Sequence, residues 1–591
     1  MSIPLEQYAM IGDGETAALV SRDGSVDWLC WPRFDSDACF AALLGGTEHG
    51  RWSIAPVDPV IRHDRRYQPD TLVMETDLHT ETGGVRLIDF MPMRDGPSSM
   101  VRIVVGLHGQ MRLRMDLNLR FSYGSVTPWT EAVADGFVAR IGPDLVILHA
   151  PVALTLEDDQ ATAEFTVQEG QRLSFVLRYA HADQPRPTAI EPEAALAATQ
   201  RFWRDWIGRF DDSRTRWPDV VRRSLITLKA LIHRQSGGLV AAPTTSLPEA
   251  PGGTMNWDYR YCWLRDASFT VSCLVNAGYI DEATHWRDWA LRAFGGAPGA
   301  LQIMYRVDGA RHLDERELGD LPGWNYARPV RVGNLAATQH QVDVYGELLY
   351  ALELGARAGM PVTEQQRVVS CRVAEHLARV WATPGSGVWE SRAELRQYTY
   401  SKAMAWAGLD SFLQRHSRSG DDAELTGRLT KLRHQIHGDV LQQGWSPGLG
   451  HFTQYYGGQE LDASLLLMPL VGFLPATDPR MAATIDAIGR ELSEGGLIRR
   501  MKRTADGPNE GAFLACSCWM ADCLGMQGRD EEAEAQFQRV LALRNDVGLF
   551  SEEYDVPGRH LSGNFPQALT HLAVVNSALG LSGPTLMHGG G

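Results

Sequence analysis

The hydrophobic pattern of this 591-residue chain changes period once, and that change constrains its fold more than any other feature. From about residue 15 to 185 apolar and polar side chains alternate, the two-residue period of half-buried strands. The run MVRIVVGLHGQMRLRMDLNLRF (100–121) carries the alternation with a Gly turn at its middle, and VRLIDFMP, DLVILHAPVALTLE and RLSFVLRYA repeat it between Gly, Asp and Pro signals. Short alternating strands predict an antiparallel β-sandwich over 1–190. PEAALAATQRFWRDWIGRF then reads as an amphipathic helix, a linker over 191–214. Beyond it the period is helical, with starts near 218, 262, 283, 340, 363, 402, 421, 462, 479, 510, 529 and 566. No short repeat accompanies these helices, which argues against a solenoid. Six helical hairpins closed into a toroid over 215–582 fit the count, with 583–591 as a tail. The chain is thus expected to be multidomain, β plus all-α, as its length requires.

Composition narrows the partners. A net charge of −16 argues against nucleic acid or an anionic membrane, both of which need basic surface. No apolar run has the length of a membrane span, and the opening MSIPLEQYAMIGDG lacks the pattern of a secretory signal, so a cytoplasmic location is expected. Cys516, Cys518 and Cys523 lie in the apolar stretch ACSCWMADCL without paired C-x2-C spacing. They read as buried helix thiols rather than metal ligands. A neutral or cationic ligand, or another protein, remains; most of the 17 tryptophans read as core packing, and sugar sites also use indole faces, which pack against pyranose rings.

Polar and aromatic residues concentrate in loops between the helices, where a rigid scaffold commonly carries function. The segment APTTSLPEAPGGTMNWDYRYCWLRDASFTV (242–271) interleaves Trp257, Asp258, Tyr259, Arg260, Trp263, Arg265 and Asp266. A hydrogen-bonded Arg–Asp staple accounts for one such pair, and two pairs among four aromatics suit a sugar pocket. GWNYARPVRVGN offers Trp324, Arg328 and Arg331, either as solvated loop residues or as ligand contacts. In GSGVWESRAELRQYTYSK, Trp389 precedes Glu390 in a Gly-rich loop, a setting of the kind that raises a carboxyl pKa. Asp462 in ELDASLLL reads as a helix N-cap. Finally GLFSEEYDVPGRH crowds Glu552, Glu553 and Asp555 around Tyr554 before the last helix, and like charges so close disfavour ionisation.

Together these segments resemble glycoside hydrolase family 15, the family of the glucoamylases, the glucodextranases and a bacterial and archaeal branch of trehalases. IGDGETAALVSRDGSVDWLCWPRFDS (11–36) is similar to the N-terminal β-domain of the trehalase-like branch, and NWDYRYCWLRD, RPVRVGN, GVWE, LDASLLL and SEEYD follow the order of the catalytic domain. The resemblance implies a β-sandwich joined by a helical linker to an (α/α)6 barrel. It implies Glu390 as general acid, Glu552 as general base (with Glu553 as the competing position), and Trp263, Arg265 and Asp266 as the grip on the non-reducing glucose. Trp257, Tyr259, Trp324, Arg328 and Trp389 are the further expected substrate contacts.

An inverting exo-hydrolase of a small α-glucoside such as trehalose is the expected activity, with isomaltose, maltose or a short α-glucan as alternatives. The pair would act through a water held between carboxyls roughly 6.5–9.5 Å apart. Glu390 is then expected in an apolar, aromatic surround and Glu552 in a wetter or hydrogen-bonded one. Linkage choice would fall to loops 322–332, 392–400 and 450–460. No metal or organic cofactor is required, and the expected partner is the sugar itself, with homo-oligomerisation open. A disaccharide phosphorylase, or a non-catalytic sugar-binding protein that keeps the fold, are the rival readings. The acidic SEEYD cluster and the presence of both glutamates count against them.

Overall fold

The computed structural model describes residues 2–419, 423–502 and 510–585. Its N-terminal part is antiparallel throughout, with strands from Tyr8–Gly12 to Arg172–His181. One strand, Ser99–Asn118, belongs to both halves of the sandwich. Its first half pairs with Gly83–Phe90 and Arg172–His181, and its second half pairs with Arg51–Pro56 and Gln160–Gln168.

The Gly turn expected in the middle of this run is therefore not a hairpin. At Gly109 the backbone has φ 63°, and a Cβ there would lie 2.4 Å from the Thr82 carbonyl oxygen. The glycine lets one strand pass from one half to the other without breaking. Arg102 ties the halves together. It is fully buried, pairs with Asp89 at 2.7 Å and donates to the Trp52 and Gly24 carbonyls at 2.8 Å each.

Helix α1 (Pro192–Ile207) follows, with Pro192 at its first turn and the Glu191 carboxylate accepting from the Ala194 amide. Twelve helices come after it among the described residues: α2 (Pro218–Leu231), α3 (Ala267–Asn276), α4 (Ile280–Ala293), α5 (Asp343–Arg357), α6 (Glu364–Val380) and α7 (Thr399–Ser419). The remainder are α8 (Ala423–Asp439), the short α9 (Leu467–Leu470), α10 (Pro479–Glu491), α11 (Leu514–Met526), α12 (Asp530–Leu541) and α13 (Ala568–Gly580). The odd-numbered helices α3, α5, α7, α9, α11 and α13 contact one another in succession, and α13 returns to α3, closing a ring. The even-numbered ones lie outside it.

Burial separates the two sets as their composition requires. Helix α11 (LACSCWMADCLGM) and α13 (ALTHLAVVNSALG) are buried nearly all round, whereas α12 (DEEAEAQFQRVL) buries only one stripe. The inner helices also approach closely: a Cβ on Gly408 would stand 2.6 Å from Cα of Gly346, so α7 and α5 touch through glycines. Cys516, Cys518 and Cys523 are free thiols buried on α11, as the sequence suggested.

Candidate active site

The loops that enter the inner helices converge on one cavity of about 490 Å³, within the range of small-molecule pockets. Trp257, Tyr259, Trp263, Arg265 and Asp266 reach its wall from the segment before α3. Asn334 and Ala336 come from the segment before α5, Trp389, Glu390 and Tyr398 from that before α7, Phe513 from that before α11, and Gln567 and Leu569 from the start of α13.

The segment before α3 is anchored from the β-sandwich side. Arg260 is buried and binds Asp258 at 2.6 Å, the Tyr123 hydroxyl at 2.7 Å and the Ser36 carbonyl at 2.6 Å. The charge pair is satisfied on every side, which is what a buried pair needs. Asp258 and Arg260 are thus the structural staple, while Trp257, Tyr259, Trp263, Arg265 and Asp266 around them face the cavity.

Glu390 follows Trp389 with φ 57°, a left-handed backbone unusual for a side chain of its size. Its Oε1 accepts from the Trp263 indole at 2.6 Å and from Arg265 Nη1 at 2.7 Å. The same Arg265 nitrogen donates to the Val388 carbonyl at 2.7 Å, which brings the guanidinium to the loop. Burial, only partly offset by the Arg265 charge, pushes the Asp266 carboxyl up to about 6, and Asp266 Oδ1 has no hydrogen-bond partner among the described residues.

Glu552 lies one hydrogen bond behind the wall. Its Oε1 accepts from the Tyr259 hydroxyl at 2.5 Å and its Oε2 from the Asn564 amide at 3.2 Å. Burial pushes its pKa up, and the Arg500 charge and the Tyr259 hydrogen bond oppose that. The Tyr259 and Trp263 rings are 5.2 Å apart, so one aromatic pair joins the two glutamates.

These surroundings reverse one expectation. Glu390 is ion-paired with Arg265 and its side chain is 18% exposed, whereas Glu552 is 0% exposed. Glu390 is therefore not in the apolar surround expected for it. The hydrogen-bonded setting expected for Glu552 is present, but not the wetter one. The cause is Arg265, held by Val388 against the loop.

Two expected contacts lie elsewhere. Trp324 is buried, donates its indole N–H to the Ile3 carbonyl at 3.1 Å and does not line the cavity. Arg328 is exposed on the surface and is also absent from the cavity wall. Their loop packs against the start of the chain instead, and Arg331 is the member that reaches inward, 4.5 Å from the Trp257 ring. Trp389 does line the cavity, and its indole donates to Asp462 at 2.9 Å. Asp462 also caps its short helical turn by accepting from the Ser464 amide at 2.7 Å, so the N-cap reading holds and a second task is added.

Sequence reasoning missed a buried charge cluster at this wall, of which Glu249 and Arg500 line the cavity. Arg500 Nη2 contacts Glu249 and Glu510 and stands 3.5 Å from Glu553 Oε1. The three carboxylates lie close enough together to hold a cation, and the guanidinium supplies the positive charge there. Burial pushes Glu249 up to about 8, against the pull of Arg500. Glu553 is fully buried, accepts from the Gly511 amide at 2.9 Å, and burial raises its pKa as well. Glu553 thus belongs to the Arg500 cluster, while Glu552 alone of the SEEYD acids joins Tyr259.

Two family models match the chain. That of the glycosyl hydrolases family 15 covers residues 217–579, and that described as trehalase-like, N-terminal covers residues 1–203. The chain belongs to glycosyl hydrolase family 15 and is a glycoside hydrolase. Among similar proteins, a trehalase of Mycobacterium tuberculosis is 36% identical over 616 residues, covering 98% of this chain and 89% of that protein. A trehalase of Thermoplasma volcanium is 32% identical over 583 residues, covering 97% of this chain and 93% of that protein. The solved structure of a bacterial glucoamylase complexed with acarbose superposes with a TM-score of 0.73 at 13% identity, covering 100% of this chain and 96% of that one. The helical ring is the (α/α)6 barrel of that fold. No described helix is long and apolar enough to cross a membrane.

Proposed function

We propose that this hydrolase cleaves trehalose with inversion, as an exo-acting enzyme with Glu390 as general acid and Glu552 as general base. The observation that carries the reading is that Trp263 and Tyr259 join Glu390, at the wall of the cavity, to Glu552 directly behind it. The trehalase names of the similar proteins supply the choice of sugar.

Two donors occupy Oε1 of Glu390, which leaves Oε2 for the glycosidic oxygen. Glu552 receives hydrogen bonds on both oxygens, and such bonds favour the ionised form a base requires. Protonated Glu390 donates to the leaving oxygen while Glu552 takes a proton from the attacking water. No covalent intermediate forms; the attacked glucose is released as the β-anomer, and the leaving glucose takes the glycosidic oxygen and keeps its α configuration. Arg265 and Asp266 grip the terminal hydroxyls, with Asp266 Oδ1, 3.6 Å from Arg265 Nε, as an acceptor for one of them. Seven buried cysteine thiols fit a reducing compartment such as the cytoplasm.

A proton NMR time course of the purified protein with trehalose, isomaltose and maltose in separate tubes tests this. α- and β-glucose from trehalose in equal amounts at the first time points, relaxing afterwards to the equilibrium mixture, is the expected result. α-Glucose alone at the first time points, before mutarotation, overturns inversion, and cleavage of isomaltose or maltose with trehalose intact overturns the choice of sugar.

A further inference from the structure

Glu390 must hold a left-handed backbone conformation that is strained for a non-glycine residue, and something outside its own turn has to maintain it. The turn closes through its amides: Glu390 N–H donates to the Gly387 carbonyl at 3.1 Å, and Ser391 N–H to the Ser386 carbonyl at 3.1 Å. The carbonyls of Glu390 and Ser391 are left for another partner.

We propose that Gln339 is a positioning residue for the general acid, its side-chain amide clamping those two carbonyls; this rests on the assignment of Glu390 above. Gln339 Nε2 donates to the Glu390 oxygen at 3.0 Å and to the Ser391 oxygen at 3.3 Å. One NH2 group has two hydrogens, and both are used. The orientation of the amide is also fixed, because Gln341 Nε2 donates to Gln339 Oε1 at 3.1 Å. Flipping Gln339 would set its oxygen against two carbonyl oxygens. Gln341 is 3% exposed, so the relay starts from a rigid position. Between the two glutamines, the His340 carbonyl accepts from the Ser386 amide at 3.0 Å, fastening the same segment to the start of the loop.

Glu390 is thereby held at both ends, its carboxyl by Trp263 and Arg265 and its backbone by Gln339. Gln339 does not line the cavity that holds Glu390 and lines a neighbouring polar one, so it acts through Glu390 rather than on the sugar.

Three variants, compared on the sugar that the wild-type enzyme hydrolyses, test this. Gln339→Leu removes both hydrogen bonds and is expected to lower kcat by about 10- to 100-fold with KM changed less than about 2-fold. Gln339→Glu keeps the shape but loses the donor when ionised. Its deficit is expected to shrink as pH falls and the carboxyl O–H donates again, while that of Gln339→Leu stays constant. With α-glucosyl fluoride, whose leaving group needs little protonation, both deficits are expected to fall below about 3-fold.

A KM effect with unchanged kcat identifies a substrate contact and overturns the proposal. Equal deficits on fluoride and natural sugar do the same, since the defect then lies outside acid catalysis. Should Gln339→Leu fail to fold, Gln339→Glu alone decides, through its pH dependence and its fluoride rate. Glu390→Gln separates the two layers: wild-type turnover there refutes the acid assignment itself, whereas lost turnover there with wild-type kcat in both Gln339 variants refutes only the clamp.

Discussion

The Tyr259 hydroxyl offers a clean perturbation of the base. Tyr259→Phe keeps the ring that packs 5.2 Å from Trp263 and removes only the 2.5 Å hydrogen bond to Glu552. Glu552 is fully buried and would keep one amide donor, Asn564 at 3.2 Å. A hydrogen bond to a charged group contributes about 1.5–3 kcal/mol. At about 1.36 kcal/mol per pKa unit, its loss corresponds to roughly one to two units. The sign follows from the base having to be ionised: this bond lowers the Glu552 pKa, so losing it raises that pKa further. The acidic limb of kcat/KM against pH is expected to move up by about one to two units. Below both limbs the variant loses roughly 10- to 100-fold, and on the plateau above the shifted limb it recovers most of that. Initial rates across pH for the two proteins measure the shift. A loss of equal size at every pH, with the limb unmoved, refutes the reasoning, because the phenol would then act on the sugar and not through Glu552.

Other consequences are as specific. Glu390→Gln and Glu552→Gln are each expected to cut glucose release by about 10²–10⁴-fold while leaving thermal unfolding within a few degrees of wild type. Arg102→Ala leaves the buried Asp89 charge unpaired and should cost about 3–5 kcal/mol, read from the urea midpoint. The Glu249 carboxyl, raised from 4.5 to about 8, makes the folded state hold a proton that the unfolded chain releases. Its contribution to stability is present below about pH 4.5 and is lost as pH rises through about 8, so Glu249→Gln should flatten that decline in chemical denaturation across the same window.

What the sequence made legible follows from how local each signal was. Helices α2 and α10 begin at the residues expected, Pro218 and Pro479, because proline at the first turn is a signal carried by one position. The start expected near 262 falls at Ala267 instead, since Cys262–Trp263 first forms a short strand with Met304–Tyr305. The aromatic and charged segments led to the cavity wall because their density is itself local. Trp324 carried the same signature and misled, as its partner Ile3 is 321 residues away. The surround of Glu390 could not be inferred for a like reason: Arg265 is 125 residues distant and no pattern near Glu390 announces it. The Arg500 cluster joins Glu249 across 251 residues and left no trace in either segment.

Closure of the ring by α13 against α3 has a temporal meaning. Synthesis delivers Arg265 and Asp266, the proposed sugar grip, early and the loop of Glu390 midway, but Glu552, Asn564 and Gln567 arrive with the last helix. A ribosome that has released residue 540 has made most of the pocket and none of its base. With the roles proposed above, such a nascent chain has the residues to hold a sugar but not those to cleave it. Catalytic competence is therefore gained in one step, when α13 docks and brings Glu552 to Tyr259, and activity reports on completed folding of the whole ring.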